Sequence, residues 1–361
     1  MANIRLRKIS AGDRRDFNEF LDFSVRLYNG SMAVRNTIPK LRTILTGPGD
    51  FSLFLAESDG GETLGRMVLG VNPDLRDEAG VPFGYAGIFD CVEDYGVFSA
   101  MLDFARKYFA GRGSILFPLF KATWYIYRFT AKGHGVFDYF MEFPDKPYYA
   151  GYTKRYGVRD TYLYVGSITD DIDDVIEKNR KSYEKALSLG ITFRDMDPKN
   201  MKEDLRIVHR LTVENYTQNL FFTPISFDEF YDLYKGVLSI LDPRFLTFGI
   251  NREGRPVCYG FAPPDYTPLL NKYDTGTLLG RIGLYFNRKK FDGLVLKTAA
   301  TDAGHRQMGI YGGICHLHAL RAKELGCRYV IGGFTYVDNV THKVMSGDLT
   351  WKEYELYRIG V

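Results

Sequence analysis

The chain has 361 residues, 45% of them hydrophobic and 25% charged, and its 47 basic and 44 acidic side chains leave a formal net charge of only +3. That balance fits a soluble globular protein with room for two domains, and it excludes a broad basic surface of the kind that grips duplex DNA. Four cysteines (Cys91, Cys258, Cys315, Cys327) form no CxxC pair and share no metal-ligand spacing with the six histidines, and no apolar run reaches the ~20 residues of a membrane span. The charged opening MANIRLRKIS lacks the apolar stretch of a signal peptide, so a cytoplasmic protein with no bound metal, no DNA and no membrane partner is expected.

In chain order, NIRLRKIS (3–10) reads as a strand, followed by helices over DFNEFLDFSVRLYN (16–29) and around IPKLRTIL (38–45). A hairpin follows over 51–71, turning at ESDGG, then a strand at GYAGIFDCV (84–92), a helix over 95–111 and a strand at SILFPLF (114–120). The order then repeats. ITFRDMD (191–197) is a strand, 205–218 and 228–241 are helices, and 245–263 is a hairpin turning at NREGR. Strand GLVLKTAAT (293–301), helix 310–326 and strand RYVIGGFT (328–335) complete the second pass. The element-by-element match reads as a divergent internal duplication.

Between the passes, DDIDDVIEKNRKSYEKALSLG (170–190) carries acidic residues early and basic residues later, which complements a helix dipole. The expected division is therefore a first domain over 1–166, a bridging helix over 167–190, and a second domain over 191–361. The segment 120–152 is unusually aromatic and reads either as one wall of a wide apolar pocket or as an interface between the halves.

The informative turn is TDAGHRQMGIYGG (301–313), which links a strand to a helix. A glycine turn opening a helix exposes several backbone N–H groups at the positive end of the dipole, a natural anion site. Gly309 admits close approach of an oxyanion and Arg306 adds a charge-assisted contact. The matching turn of the first pass, DCVEDYG, is acidic (Asp90, Glu93, Asp94) and repels anions, so only the second copy is expected to function this way.

Arg306-Gln307-Met308-Gly309-Ile310-Tyr311 between strand and helix resembles the acyl-CoA-binding signature Q/R-x-x-G-x-G/A of the GCN5-related N-acetyltransferases (GNAT), with Thr301 and Ala303 where a V-x-P is common. The resemblance runs over residues 3–358, and 147–165 with the tail 338–359 is similar to bacterial tandem members. It implies an α+β fold (an α/β sandwich) of two tandem GNAT-type domains, the first degenerate, each with a mixed, mostly antiparallel sheet and helices on both faces. It further implies that acetyl-CoA or another acyl-CoA binds along Ala299, Ala300 and Thr301, with its pyrophosphate on the loop Arg306, Gln307, Met308, Gly309, Ile310, Tyr311 and Gly312, and with Asn339 nearby.

On that reading the activity is acyl-CoA-dependent N-acyltransfer, most simply N-acetyltransfer, to a primary amine of a small molecule or peptide by direct attack on the thioester. Tyr336 is the expected general acid, with Asp338 beside it and Glu214 on the acceptor side. Two departures stand out: Tyr311 replaces the second small residue of the signature, and the tyrosine common seven residues after an asparagine is Ser346 when counted from Asn339. Two alternatives remain, an aminoacyl-tRNA-dependent peptidyl transferase of the tandem type and a non-catalytic CoA- or acyl-carrier-binding protein. An acyl carrier protein is thus a further possible partner, and the expected state is a monomer or homodimer.

Overall fold

The computed structural model describes residues 4–238 and 240–361; Asn3, at the start of the first expected strand, and Ser239, inside the helix expected over 228–241, lie outside the described residues. The first half runs β1 (Arg5–Ile9), α1 (Arg14–Leu27), α2 (Met32–Thr46), β2 (Phe51–Glu57), β3 (Thr63–Arg76), β4 (Pro82–Cys91), α3 (Tyr95–Tyr108), β5 (Ser114–Phe117), β6 (Phe129–Lys132), α4 (Tyr148–Arg155) and β7 (Asp160–Thr169). A connecting helix, α5 (Ile172–Ser188), leads to β8 (Thr192–Asp195), α6 (Met201–Asn215), α7 (Phe227–Leu238), β9 (Leu246–Ile250) and β10 (Pro256–Phe261). Then come α8 (Thr267–Lys272), α9 (Leu278–Asn287), β11 (Gly293–Leu296), β12 (Thr298–Thr301), α10 (Ile310–Glu324), β13 (Tyr329–Tyr336) and β14 (Thr350–Gly360).

Helix starts follow local chemistry. Asp13, Asp94 and Asp171 accept hydrogen bonds from backbone N–H groups in the first turns of α1, α3 and α5, satisfying donors that the helix itself leaves free. The two expected hairpins form as antiparallel pairs, β2 with β3 and β9 with β10.

The two halves exchange strands. The larger sheet has ten strands in the order β1-β2-β3-β4-β5-β14-β7-β13-β11, with β6 also on β14; a second sheet runs β12-β10-β9-β8. Thus β14, from the end of the second half, lies antiparallel to both β5 and β7, while β7, from the first half, pairs with β13. The expected division at 166/167 falls inside β7, and α5 fills most of the expected bridge. One hydrophobic core runs through the seam, including Tyr85, Phe120, Tyr127, Tyr164, Ile331 and Tyr354. Burying such apolar surface is the main force joining the halves.

The single strand expected over 293–301 is divided, and the division opens the site. β11 pairs in parallel with β13 from Gly293↔Tyr329 to Leu296↔Gly332, after which β12 leaves β13 and continues against β10 alone. Lys297 N–H donates to Phe261 O, and Thr298 is the register partner of the same Phe261. Two consecutive residues facing one is the geometry of a bulge, which bends a strand away from its neighbour. A wedge-shaped gap opens between β12 and β13.

Candidate active site

The wedge opens into a cleft of about 2010 Å³ lined by both halves. Its floor on one side is β12. Ala299 O points away from β10 and accepts a hydrogen bond from Tyr216 Oη at 2.7 Å, so among the described residues this edge pairs with no strand and its carbonyl is held by a side chain. Ala300 is buried in the core, and Thr301 Oγ1 lies 3.2 Å from Cys258 Sγ.

Beyond Thr301 the chain makes the expected turn. Asp302 caps a short 3₁₀ turn and is ion-paired with Arg255. Gln307 and Gly309 adopt left-handed φ angles of 64° and 81°, and Gly309 opens α10 with no side-chain cap. The first amides of α10, at Ile310, Tyr311 and Gly312, therefore face the cleft at the positive end of the helix. Arg306 is exposed at the same place, with no ion-pair partner among the described residues.

The glycines here have a packing role as well. A Cβ on Gly309 would stand 2.5 Å from Ser182 O, and one on Gly312 would stand 2.7 Å from Ser182 Cβ, so α10 seats against α5 only with glycine at both positions. Lys185 Nζ, also on α5, donates to Gln307 O at 2.8 Å and fixes the loop. The Tyr311 ring packs against the core around Cys315, and burial raises its phenol well above the ordinary range. Its bulk turns inward, and the amides stay accessible.

Of the remaining expected residues, Tyr336 and Asp338 line the cleft at the end of β13. Tyr336 is half-buried against the Tyr164 ring, and burial with the neighbouring Asp338 carboxylate raises its pKa, so the phenol keeps its proton near neutrality. Asn339 also lines the cleft, where its side chain accepts from Thr341 N and caps a 3₁₀ turn. Met308 lies outside the cleft wall and packs beside Ile310 and Ile314. Glu214 does not reach the cleft: it is ion-paired one helical turn away with Arg210 at 2.9 Å on the exposed face of α6. Ser346, at the position counted from Asn339, donates to Asp174 of α5 at 2.6 Å.

The cleft also holds charged residues that the sequence reading passed over. Arg128, Glu142, Lys297 and Lys352 meet among the rings of Tyr139 and Phe334. Arg128 and Glu142 come from the aromatic segment 120–152, and Lys297 is the lone charge inside the apolar run LVLKTAA. A cation in a buried apolar strand is the signal that marks such a site, because the fold does not place one there for stability. Burial and the nearby Arg128 charge push the Lys297 ammonium down to about 7.

Two buried titratable side chains outside the cleft serve structure. Cys91 is a buried thiol with its pKa raised by burial, and His318 is buried against Thr247 with its pKa pushed down to about 3, again by burial. Among the described residues no group of three His, Cys, Asp or Glu side chains is placed to hold a metal ion, and no helix is long and apolar enough to cross a membrane.

No protein-family model and no curated protein sequence matches this chain. Solved structures do. The chain aligns over its full length with a fungal multi-domain GH3 beta-N-acetylglucosaminidase carrying a GCN5-related glucosamine N-acetyltransferase region, at 13% identity and a TM-score of 0.56; it spans 38% of that protein. A probable N-acyltransferase from Enterococcus faecalis V583 aligns with 99% of the chain and 73% of its own length, at 10% identity and a TM-score of 0.55. A tandem GNAT protein from the clavulanic acid biosynthesis pathway aligns over 99% of this chain and 98% of its own, at 12% identity and a TM-score of 0.51. At these identities the likeness is one of fold: the chain has the tandem GNAT architecture.

Proposed function

We propose that the protein transfers an acyl group from an acyl-CoA to a primary amine, and that the second half alone holds the donor. The observation that carries this reading is the conjunction of a strand edge freed by the β12–β13 wedge with an uncapped helix N-terminus at its end. A flexible thioester carrier with a pyrophosphate needs both, an extended hydrogen-bonding edge for its arm and a cluster of amides for its phosphates. The amides of Ile310, Tyr311 and Gly312 and the unpaired Arg306 fit that anion. Acyl-CoA would supply the activated carbonyl.

The other roles follow from the chain's own residues. Tyr216 Oη holds Ala299 O and gives way when a ligand pairs there. Tyr336, protonated and at the end of β13, is positioned to donate a proton to a departing thiolate. The aromatic segment of the first half contributes to the cleft wall, which supports an acceptor site built partly by the first half. The acceptor class, a small molecule or peptide amine, matches a cleft this wide.

Calorimetric titration with acetyl-CoA tests the reading. Saturable binding is expected, weakened about tenfold or more in Arg306→Glu, since a charge-assisted hydrogen bond contributes about 1.5–3 kcal/mol. Absence of binding by acetyl-CoA and longer acyl-CoAs rejects it.

A further inference from the structure

The charged group at the centre of the cleft is unbalanced. Three cations, Arg128, Lys297 and Lys352, meet around the buried Glu142 carboxylate, while the other inward carboxylate of the cleft, Asp145, accepts from Thr130 N–H and faces His134. Glu142 Oε1 lies 3.0 Å from Lys352 Nζ and 4.0 Å from the Arg128 guanidinium, while Asp138, largely exposed, adds a second carboxylate only to Lys352, at 3.2 Å. Lys352 is thereby neutralised. Lys297 has no carboxylate within ion-pair distance among the described residues, and its Nζ rests on the faces of Phe334 and Tyr139 at 4.7 and 5.3 Å.

Arg128 is more unusual. It is 9% exposed, its guanidinium is stacked 3.4 Å from the Phe334 ring centroid, and its Nε has no hydrogen-bond partner. Its remaining donors reach Tyr127 O at 3.2 Å and, weakly, Tyr139 Oη at 3.5 Å. The backbone at Arg128 has φ of 73°, a left-handed conformation that is strained for a non-glycine residue and is found most often at sites where geometry serves a ligand. A buried guanidinium with spare donors, whose ion pair with Glu142 is 4.0 Å long and shared with Lys352, is unfavourable beside the unpaired Lys297 unless an anion completes it.

We propose that Arg128 and Lys297 form a carboxylate-binding subsite for a substrate of the acyl transfer. The proposal rests on the function proposed above for the same cleft and adds the chemical class of its ligand. The planar guanidinium suits a carboxylate in two-point contact, and the Lys297 ammonium adds a charge from the strand that begins the wedge. Because Lys297 immediately precedes β12, the bound carboxylate lies beside the freed strand edge. It belongs either to the acceptor, as in an amino acid, or to the acyl group, as in a dicarboxylic thioester.

Two arms of one calorimetric experiment separate these sources. The acceptor arm compares ω-amino acids from glycine to 6-aminohexanoate with the matching alkylamines, in the absence of CoA. The donor arm compares succinyl-CoA with acetyl-CoA. In one arm the carboxylate-bearing member is expected to bind about tenfold or more tightly. Arg128→Met removes the preference and Lys297→Met reduces it severalfold, with cooperative thermal unfolding retained as the check on folding.

Equal binding of both members in both arms overturns the proposal. So does a preference that survives Arg128→Met, or, should that variant fail to fold, one that survives Lys297→Met. The acceptor arm contains no CoA, so a preference there supports the subsite even if acetyl-CoA does not bind, and the two readings fail separately.

Discussion

The two halves place the same strand pair in opposite states. In the first, β4 and β5 pair at Gly84↔Ile115 and Tyr85↔Leu116, and the chain then stays on β4, with Leu119 N–H donating to Ala86 O. A Cβ on Gly87 would stand 2.2 Å from Leu119 O, so the two backbones are in contact where the second half has a gap. The end of β4 is sealed by α4: Tyr149 Oη accepts from Cys91 N–H, and Tyr148 Oη donates to Cys91 O. Asp90, where the second half has Thr301 and the loop carrying the exposed Arg306, is buried in an ion pair with Arg66 at 2.7 Å. One copy has thus traded its ligand gap for internal polar contacts, while the other keeps free donors and unpaired cations. On the function proposed above, unmet hydrogen-bonding capacity is what sets the donor-binding copy apart.

The comparison breaks most sharply at Asp90. Asp90→Ala leaves Arg66 buried and unpaired, and about 3–5 kcal/mol of stability is expected to be lost in chemical denaturation, with acetyl-CoA affinity unchanged in the folded fraction. An equally large fall in affinity would show that the first half shares the donor site.

A second effect is pH-dependent. Burial disfavours the Lys297 ammonium most, Arg128 and Lys40 act in the same direction, and Glu142 offsets only part of this. Below pH 7 Lys297 is charged folded and unfolded, and the folded state bears the full penalty. Between about 7 and the ordinary lysine value of 10.5, the unfolded chain keeps a proton that the folded chain releases, so stability rises with pH. Lys297→Met removes the penalty. The variant should exceed the wild type in stability at pH 6, and its advantage should shrink toward pH 10.5; a constant difference would contradict the burial of that charge.

The smallest effect concerns the strand edge. Tyr216→Phe frees Ala299 O without altering the cleft wall, and acetyl-CoA affinity should rise severalfold, since a single neutral hydrogen bond is worth about 0.5–1.5 kcal/mol. Unchanged affinity would mean that ligands do not use this edge.

The strand–loop–helix order around the turn was legible in the sequence because it is local, whereas the split of 293–301 into two strands was not. Strand, glycine turn and helix follow one another within 293–326, and turn chemistry needs no distant partner. Glu214 was misread for the same local reason: its spacing from Arg210 already describes an exposed helical pair. The carboxylate subsite was not legible, because Arg128 and Lys297 stand far apart in sequence and meet only through the strand exchange. No strand is expected from the sequence at 160–169 or 350–360, so the pairing of β7 with β14 was not in view. Met308 shares its loop with Arg306 yet faces an apolar cluster, a difference set by the turn's φ angles rather than by residue type.

The position of β14 also governs how the protein is made. Among the described residues β6 pairs only with β14 and β7 only with β13 and β14, so none of these pairings exists until the second half has been synthesised. A nascent chain that has emerged through Thr169 holds β1 to β5 with β5 as an open edge, and carries two further strands with no neighbours. Such edges invite pairing between chains, and contacts spanning more than 180 residues close slowly. The chain therefore passes through translation with its most association-prone surfaces uncovered until the final strand inserts, which makes its yield in the cell sensitive to elongation rate and chaperone supply well before any ligand is met.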